Sequence, residues 1–201
     1  MDFITSNSIL DAWKKGLELL RKKGLKTMDD NQALSEILQL FIVLENPVDE
    51  EEKISIVNPS MADWMKANFE HEILVPELGN AKSYGCRLRN YKGRNQLQWV
   101  KEKLRNKPET KSATITMLMP DEDKSYVPCV SLLDFKLRNN TLHMTATCRS
   151  LDFGKKALFN FLALKRIADE VKDELSIPNL TLTVHIISAH VYEKDWSFLP
   201  E

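Results

Sequence analysis

The hydrophobic and polar positions of this chain follow two periods, one typical of helices and one typical of strands. Apolar residues recur every three or four positions from Ile9 to Leu20, which predicts a first helix. Ser6 or Ser8 is suited to cap its start, and Gly24 is suited to end it. The same period predicts further helices over residues 61–71, 95–106 and 156–175. Apolar or alternating runs predict strands over residues 34–44, 113–119, 129–137, 141–147 and 180–192.

The order of these elements predicts the fold class. Arg138-Asn139-Asn140 lies between two predicted strands and favours a hairpin turn, because Asn tolerates a positive φ. The segment from Tyr84 to Leu88 is expected to be a polar connection. We therefore expect one α+β domain over residues 1–201, with a largely antiparallel or mixed sheet flanked by helices.

Composition and charge exclude several classes of function. Lys and Arg total 28 against 29 Asp and Glu, a net charge of -1, which disfavours a nucleic-acid binder. No apolar run reaches the roughly 20 residues of a membrane span, and Met1–Thr5 is unlike a signal peptide. The three cysteines have no C-x-x-C spacing, and His185 and His190 lack neighbouring ligands at metal spacing. We expect a cytoplasmic protein without a disulfide framework or a metal site, and without nucleic-acid or membrane partners.

The candidate chemistry begins at Cys129, which follows Pro128 at the start of an apolar run. Such a cysteine is more often buried packing than a nucleophile, since a nucleophile must be a thiolate and needs a nearby cation. Arg149 is placed to supply that cation if the hairpin brings the two strands together. Arg149 and Ser150 also suit phosphate oxygens, although a surface arginine and a capping serine are an equal alternative. Asp152 is likewise a candidate helix cap.

Other polar residues lie in apolar surroundings. Asn160, between two phenylalanines, must find hydrogen-bond partners if buried, and its planar amide suits the edge of a uracil ring. His190 and Tyr192 are two apart on a strand and face the same way, so they suit a sugar hydroxyl or a structural pair. Glu36, in the strand over 34–44, is either an acid/base carboxylate or a solvent-facing residue.

The order of these residues resembles the thymidylate synthase family, specifically its short archaeal-like branch. In that family a Pro-Cys dipeptide carries the nucleophile, matched by Pro128-Cys129. The family's Arg-Ser-x-Asp is matched by Arg149, Ser150 and Asp152. The resemblance implies that Arg149 and Ser150 bind the nucleotide phosphate, and that Asp152 lies near the folate and the pyrimidine. It also implies that Asn160 reads the pyrimidine edge.

The remaining matches complete the implied site. The resemblance assigns the ribose 3′-hydroxyl to His190 and Tyr192, proton transfer to Tyr84, and a general acid/base role to Glu36. The family is a homodimer in which basic residues of one subunit reach the phosphate of the other. Lys111 stands where the family usually has two arginines.

The resemblance also implies a reaction. Cys129 adds to C6 of a pyrimidine nucleoside monophosphate, and C5 accepts a one-carbon unit from 5,10-methylenetetrahydrofolate. Asn160 favours uracil, so conversion of dUMP to dTMP is the expected activity. A family glycine near the folate is replaced by Lys156, which either obstructs the pterin or contacts another anionic group. The alternatives are a dCMP, CMP or dUMP 5-hydroxymethylase, a catalytically silent nucleotide-binding relative, and a plain interaction domain.

Overall fold

The computed structural model describes residues 1–124 and 126–200. Six helices are formed by α1 (Ile9–Lys23), α2 (Glu51–Val57), α3 (Pro59–Glu70), α4 (Tyr84–Arg89), α5 (Gln96–Asn106) and α6 (Ala157–Glu174) in these residues. The strands there are β1 (Asp2–Ser6), β2 (Leu25–Asp29), β3 (Gln32–Glu45), β4 (Leu74–Val75), β5 (Ala81–Lys82), β6 (Ala113–Thr116), β7 (Val130–Arg138), β8 (Thr141–Cys148), β9 (Leu151–Asp152) and β10 (Asn179–Tyr192). Short 3-10 turns occupy Pro76–Leu78 and Glu193–Phe198.

One mixed sheet organises the molecule. Its strand order is β1-β3-β10-β8-β7-β6, with β2 added to β3 and β9 added to β10, while β4 and β5 form a separate pair. Strand β10 runs antiparallel to β3 but parallel to β8 and β9. The predicted α+β fold with a mixed sheet flanked by helices is therefore confirmed.

Several local features form for the reasons visible in the sequence. Ser8 caps α1, accepting a hydrogen bond from the Asp11 amide, and Asn95 caps α5 in the same way through Gln98. The turn between β7 and β8 has positive φ angles of 48° and 55° at Asn139 and Asn140. The predicted hairpin is thus present at the expected residues.

Two sequence-based expectations are wrong. The segment from Tyr84 to Leu88 is not a polar connection, because Ser83 caps a helix there and Tyr84, Arg87 and Leu88 are buried. Asp152 does not cap α6, since its carboxylate accepts the Gly154 amide in a local turn at 2.9 Å. Helix α6 begins instead at Ala157, without a side-chain cap.

The helices cover one face of the sheet. Helices α1, α5 and α6 share one apolar core with the sheet, and α6 contacts both of the others. Along β8 the even-numbered residues are buried and the odd-numbered ones, Thr141 to Thr147, are half-buried on the other face. No helix within residues 1–124 and 126–200 is both long enough and apolar enough to cross a membrane.

A phase change in β3 and β10 determines which polar side chains reach the site. The buried positions of β10 are even-numbered up to Ile186 and odd-numbered from Ala189 onward. In β3 the neighbouring Leu38 and Gln39 are both exposed, and Gln39 has a φ of 61°. The two strands therefore change phase side by side, while their pairing register stays constant. As a result His190 lies on the half-buried face.

Candidate active site

Cys129 lies immediately before β7, at the end of the strand nearest to Arg149. The Arg149 amide donates to the Cys129 carbonyl at 2.8 Å, so the hairpin does bring the two residues together. Cys129 is half-buried, whereas Cys148 on the neighbouring strand is fully buried. Burial, and then the nearby Cys129 sulfur, raise the pKa of the Cys148 thiol. Of these two thiols, Cys129 is the accessible one.

The Arg149 guanidinium organises the chain just before the cysteine. Its Nη2 donates to the Val127 carbonyl at 2.7 Å, and its Nε donates to the Pro128 carbonyl at 3.3 Å. Nη1 donates to Ser150 Oγ at 3.2 Å. Arg149 itself is exposed, so its charge faces solvent at the mouth of the site. An exposed guanidinium beside a hydroxyl is an arrangement suited to an anionic ligand.

Hydroxyl groups surround the Cys129 sulfur. Ser150 Oγ lies 3.8 Å from Sγ, and the hydroxyl of Tyr126 lies 3.9 Å from it. The Tyr84 hydroxyl accepts the Val130 amide at 3.0 Å and so anchors the residue that follows the cysteine. Burial raises the pKa of Tyr84 well above its usual range, which keeps the phenol protonated. The sequence analysis missed Tyr126, whose spacing of three residues from Cys129 carries no recognised signal.

A row of polar residues crosses three adjacent strands beside this centre. The Cα of His190 is paired with Glu36 on β3 and with Asp152 on β9. Paired residues point to the same face of a sheet, so these three side chains share it. The Glu36 carboxylate accepts a hydrogen bond from Ser188 Oγ. Glu36 lies on β3, and Cys129 precedes β7. Two strands, β10 and β8, lie between β3 and β7 in the sheet.

The sugar-binding candidates are in contact. The His190 and Tyr192 rings lie edge to face with centroids 5.4 Å apart. The Tyr192 hydroxyl donates to Asp29 Oδ2 at 2.8 Å, and burial together with this bond raises the pKa of Tyr192 to about 12. Asp29, at the end of β2, is a second residue that the sequence analysis did not find.

Asp152 borders a cavity of about 450 Å³ through Gly154. Burial raises the pKa of the Asp152 carboxyl, and the nearby His190 acts in the opposite direction. The cavity is lined mainly by apolar side chains from α1, α3, α6 and the C-terminal segment, including Trp13, Met61, Leu158, Phe159 and Leu199. Asp195 Oδ2 also lines it, 3.1 Å from Lys155 Nζ but without a properly oriented hydrogen-bond partner in the described residues.

Two residues of α6 and its start stand at the predicted ligand positions. Asn160 is 3% exposed, and its Nδ2 donates to the Lys156 carbonyl one turn earlier at 2.9 Å. The Lys156 ammonium lies 5.2 Å from the centroid of the Trp64 ring, a cation–π contact. Because Trp64 belongs to α3, this contact holds the Lys156 side chain against that helix.

Lys111 lies far from Cys129 in the same chain. It precedes β6, whose first residue Ala113 is paired with Phe135 near the far end of β7. Cys129 precedes the opposite end of β7, about 20 Å from Phe135 at ~3.3 Å per residue. The residues 1–124 and 126–200 contain no cluster of three or more His, Cys, Asp or Glu able to hold a metal ion.

The protein has one α+β fold with an accessible cysteine at a strand end, flanked by an arginine and by hydroxyl donors.

Comparison with known proteins identifies the family. The profile described as "Thymidylate synthase" matches residues 14–200. A protein of Methanococcoides burtonii named "Putative thymidylate synthase" is 32% identical over 96% of this chain and 90% of its own length. Proteins of the same name from Methanosarcina mazei and Methanopyrus kandleri are 31% and 30% identical, each over 98% of this chain and over 92% and 96% of their own lengths. The chain belongs to the thymidylate synthase family.

Proposed function

We propose that the protein transfers a one-carbon unit to C5 of a pyrimidine nucleoside monophosphate, with dUMP as substrate and dTMP as product. The observation that carries the proposal is the half-buried Cys129, with two hydroxyl groups within 4 Å of Sγ and Arg149 hydrogen-bonded to the backbone beside it. A thiolate in contact with donors and next to a cation is an activated nucleophile.

The residues act on the nucleotide in a defined order. The Cys129 thiolate forms a bond to C6, and the C5–C6 electron pair moves toward O4, so C5 becomes nucleophilic. C5 would then bond to the one-carbon unit, and loss of the C5 proton would break the bond between that carbon and its carrier nitrogen. Addition of a hydride to the resulting exocyclic methylene would restore the C5–C6 double bond and expel Cys129 as a thiolate. Tyr84, held beside the cysteine by the Val130 amide, and Glu36 are our candidates for moving protons near the ring.

The proposed nucleotide contacts follow from the positions of the side chains. Arg149 and Ser150 receive the phosphate, because their charge and hydroxyl lie side by side at the exposed mouth. Asn160 donates from Nδ2 to its own helix, which leaves its amide oxygen to accept the N3–H of uracil. Tyr192 donates to Asp29, so its oxygen is available to accept the sugar 3′-hydroxyl beside His190.

The cavity next to Asp152 fits 5,10-methylenetetrahydrofolate as co-substrate. Its apolar walls suit the flat rings, and the Asp195 carboxylate, which lies 3.1 Å from Lys155 Nζ, is in the lining as an acceptor for the N–H groups of a pterin. Asp152 and Phe159 would hold the co-substrate on the side facing the nucleotide. When bound, this folate supplies the one-carbon unit and then the hydride that reduces it to a methyl group.

Tritium release tests the proposal. The protein is incubated with dUMP, UMP, dCMP or CMP labelled at C5, with and without methylenetetrahydrofolate. We expect folate-dependent release from dUMP, with dihydrofolate formed in equal amount and seen as an absorbance increase. Tritium release without formation of dihydrofolate would indicate that the reaction is hydroxymethylation and not methylation. Binding of a nucleotide without tritium release from any of the four nucleotides would indicate a catalytically silent nucleotide-binding protein.

We also propose that the protein works as a homodimer in which Lys111 serves the partner's phosphate site. The start of β6, just after Lys111, is about 20 Å from Cys129 of the same chain by strand rise, too far for Lys111 to serve the same nucleotide. The sheet face away from the helices carries Phe3, Phe41 and His185 in one stack, in which Phe3 is exposed, and this surface is suited to a second copy.

Mixing two inactive variants tests this arrangement. Lys111→Glu alone is expected to lower kcat/KM for dUMP by about 10- to 100-fold through loss of a charged phosphate contact. Refolded together with Cys129→Ala, it should recover about a quarter of native activity, because about half the dimers are mixed and each has one intact site. The control mixes Arg149→Ala with Cys129→Ala, whose defects lie in the same site and which should stay inactive. Failure of the first mixture to recover would place Lys111 outside the partner's site.

A further inference from the structure

The Tyr126 hydroxyl lies 3.9 Å from Cys129 Sγ, and the proposed function gives it no individual role beyond that contact. Tyr126 is three residues before the cysteine, in the segment that approaches β7. Its phenol is half-buried and borders a small void shared with Tyr84 and Pro128.

The direction of the hydrogen bonds follows from the Tyr84 hydroxyl. A hydroxyl has one proton and two lone pairs, and the Val130 amide occupies a lone pair of the Tyr84 oxygen at 3.0 Å. The Tyr84 proton is therefore free to be donated to Tyr126. This leaves the Tyr126 proton free for the Cys129 sulfur. The Val130 amide, the two phenols and the Cys129 sulfur therefore form one cluster beside the start of β7.

We propose that Tyr126 is the hydrogen-bond donor that stabilises the Cys129 thiolate, in an orientation set by Tyr84. This inference deepens the proposed function and rests on it only for the identity of the atom that the thiolate attacks.

Tyr126 acts as a donor and not as a base. Burial, followed by the neighbouring Cys129 sulfur, raises the pKa of Tyr126 despite the opposing effects of Arg149 and Tyr84, so the phenol keeps its proton at neutral pH. Tyr84 and Cys148 are also titratable groups close to the sulfur, and burial raises the pKa of each, so both stay neutral. Arg149 contributes the positive charge.

Ser150 carries the second hydroxyl group near the Cys129 sulfur, and the proposed function also assigns it to the nucleotide phosphate. Its Oγ lies 3.8 Å from Sγ and accepts from Arg149, so it is a donor to the thiolate in the free protein. In the proposed complex Ser150 turns to the phosphate. Tyr126 then remains the hydroxyl in contact with the sulfur when C6 is attacked.

Alkylation of Cys129 by iodoacetamide as a function of pH tests the inference in the native, nucleotide-free protein. Only the thiolate reacts, and mass spectrometry of the Cys129 peptide reports the rate. Tyr126→Phe removes the hydroxyl alone, and we expect the midpoint of the pH profile to rise by about one unit. With dUMP, kcat should fall about tenfold while KM changes little, a split that a merely structural residue does not produce.

The matched control is Tyr91→Phe, which removes a phenol hydroxyl bonded to the Leu118 carbonyl at 2.9 Å, away from the cysteine. Its profile should coincide with the native one. An unchanged midpoint in Tyr126→Phe, or an equal shift in Tyr91→Phe, overturns the inference. If Tyr126→Phe does not fold, Tyr84→Phe provides the test, since loss of the orienting phenol should raise the midpoint as well.

The alkylation result is independent of the proposed reaction. A shifted profile together with no tritium release from any nucleotide would leave Tyr126 as the thiolate donor of a protein with another substrate. Release from dUMP with unshifted alkylation would support the reaction and reject the role of Tyr126.

Discussion

Cys129→Ala should abolish tritium release from C5-labelled dUMP, with a loss of at least ~10⁴-fold. Without the sulfur, no covalent bond forms at C6, and C5 does not become nucleophilic. The fold should be retained, because Cys129 is half-buried at a strand end and alanine leaves the Arg149 amide bond to its carbonyl intact. The measurement compares tritium release and the melting temperature of the variant with those of the native protein.

The control for this prediction is Cys86→Ala. Cys86 is also half-buried, and its thiol donates only to the Ile73 carbonyl at 3.4 Å, so release should remain within about twofold of native. A 5-fluoro-dUMP adduct found by mass spectrometry should map to Cys129 in both native protein and Cys86→Ala. Substantial release by Cys129→Ala would remove the covalent step from the mechanism.

Asp123→Asn should lower the free energy of unfolding by about 3–5 kcal/mol, because it leaves the Arg87 guanidinium buried without its charge partner. The side chains of Arg87 and Asp123 are 2% and 5% exposed and are joined at 2.7 Å. Arg87 also donates to the Lys82 and Met117 carbonyls. It thereby links α4, which carries Tyr84, to the segment that leads to the cysteine.

Urea unfolding measures this loss, and a thermal melt should show a decrease on the order of 10 °C for a domain of this size. Asp121→Asn is the control, since the Asp121 side chain is 84% exposed and lies 3.3 Å from Lys92. An exposed pair contributes at most about 1 kcal/mol. If Asp123→Asn and Asp121→Asn were equally mild, the buried pair would not be what holds this segment in place.

The buried ion pair between Arg87 and Asp123 also determines whether Arg87 is free to bind a phosphate. Arg87 is a basic residue close in sequence to Tyr84, and sequence alone leaves open whether it reaches a ligand. Its guanidinium is fully used by Asp123 and two carbonyls inside the protein. It is a structural cation, and the exposed Arg149 is the cation at the mouth of the site.

The sequence by itself determined the features that depend on neighbouring residues. Helices α1 and α5 have an apolar period and a capping side chain within one turn, and the Asn139-Asn140 turn needs only residues that accept a positive φ. The order of Cys129, Arg149, Asn160 and His190 was readable because a motif is a linear pattern. These signals predicted the α+β class and the family.

Tertiary structure alone decided which of those residues meet and what surrounds them. The joint phase change of β3 and β10 turns His190, and not Ala189, to the half-buried face, and it occurs at paired positions of two strands that are far apart in sequence. Lys111 lies at the far end of β7 because β6 pairs with β7, which local sequence does not encode. Tyr126 is only three residues from Cys129, but the contact of its hydroxyl with the sulfur depends on the conformation in which the fold holds that segment. Such contacts join residues whose proximity depends on how the whole core packs.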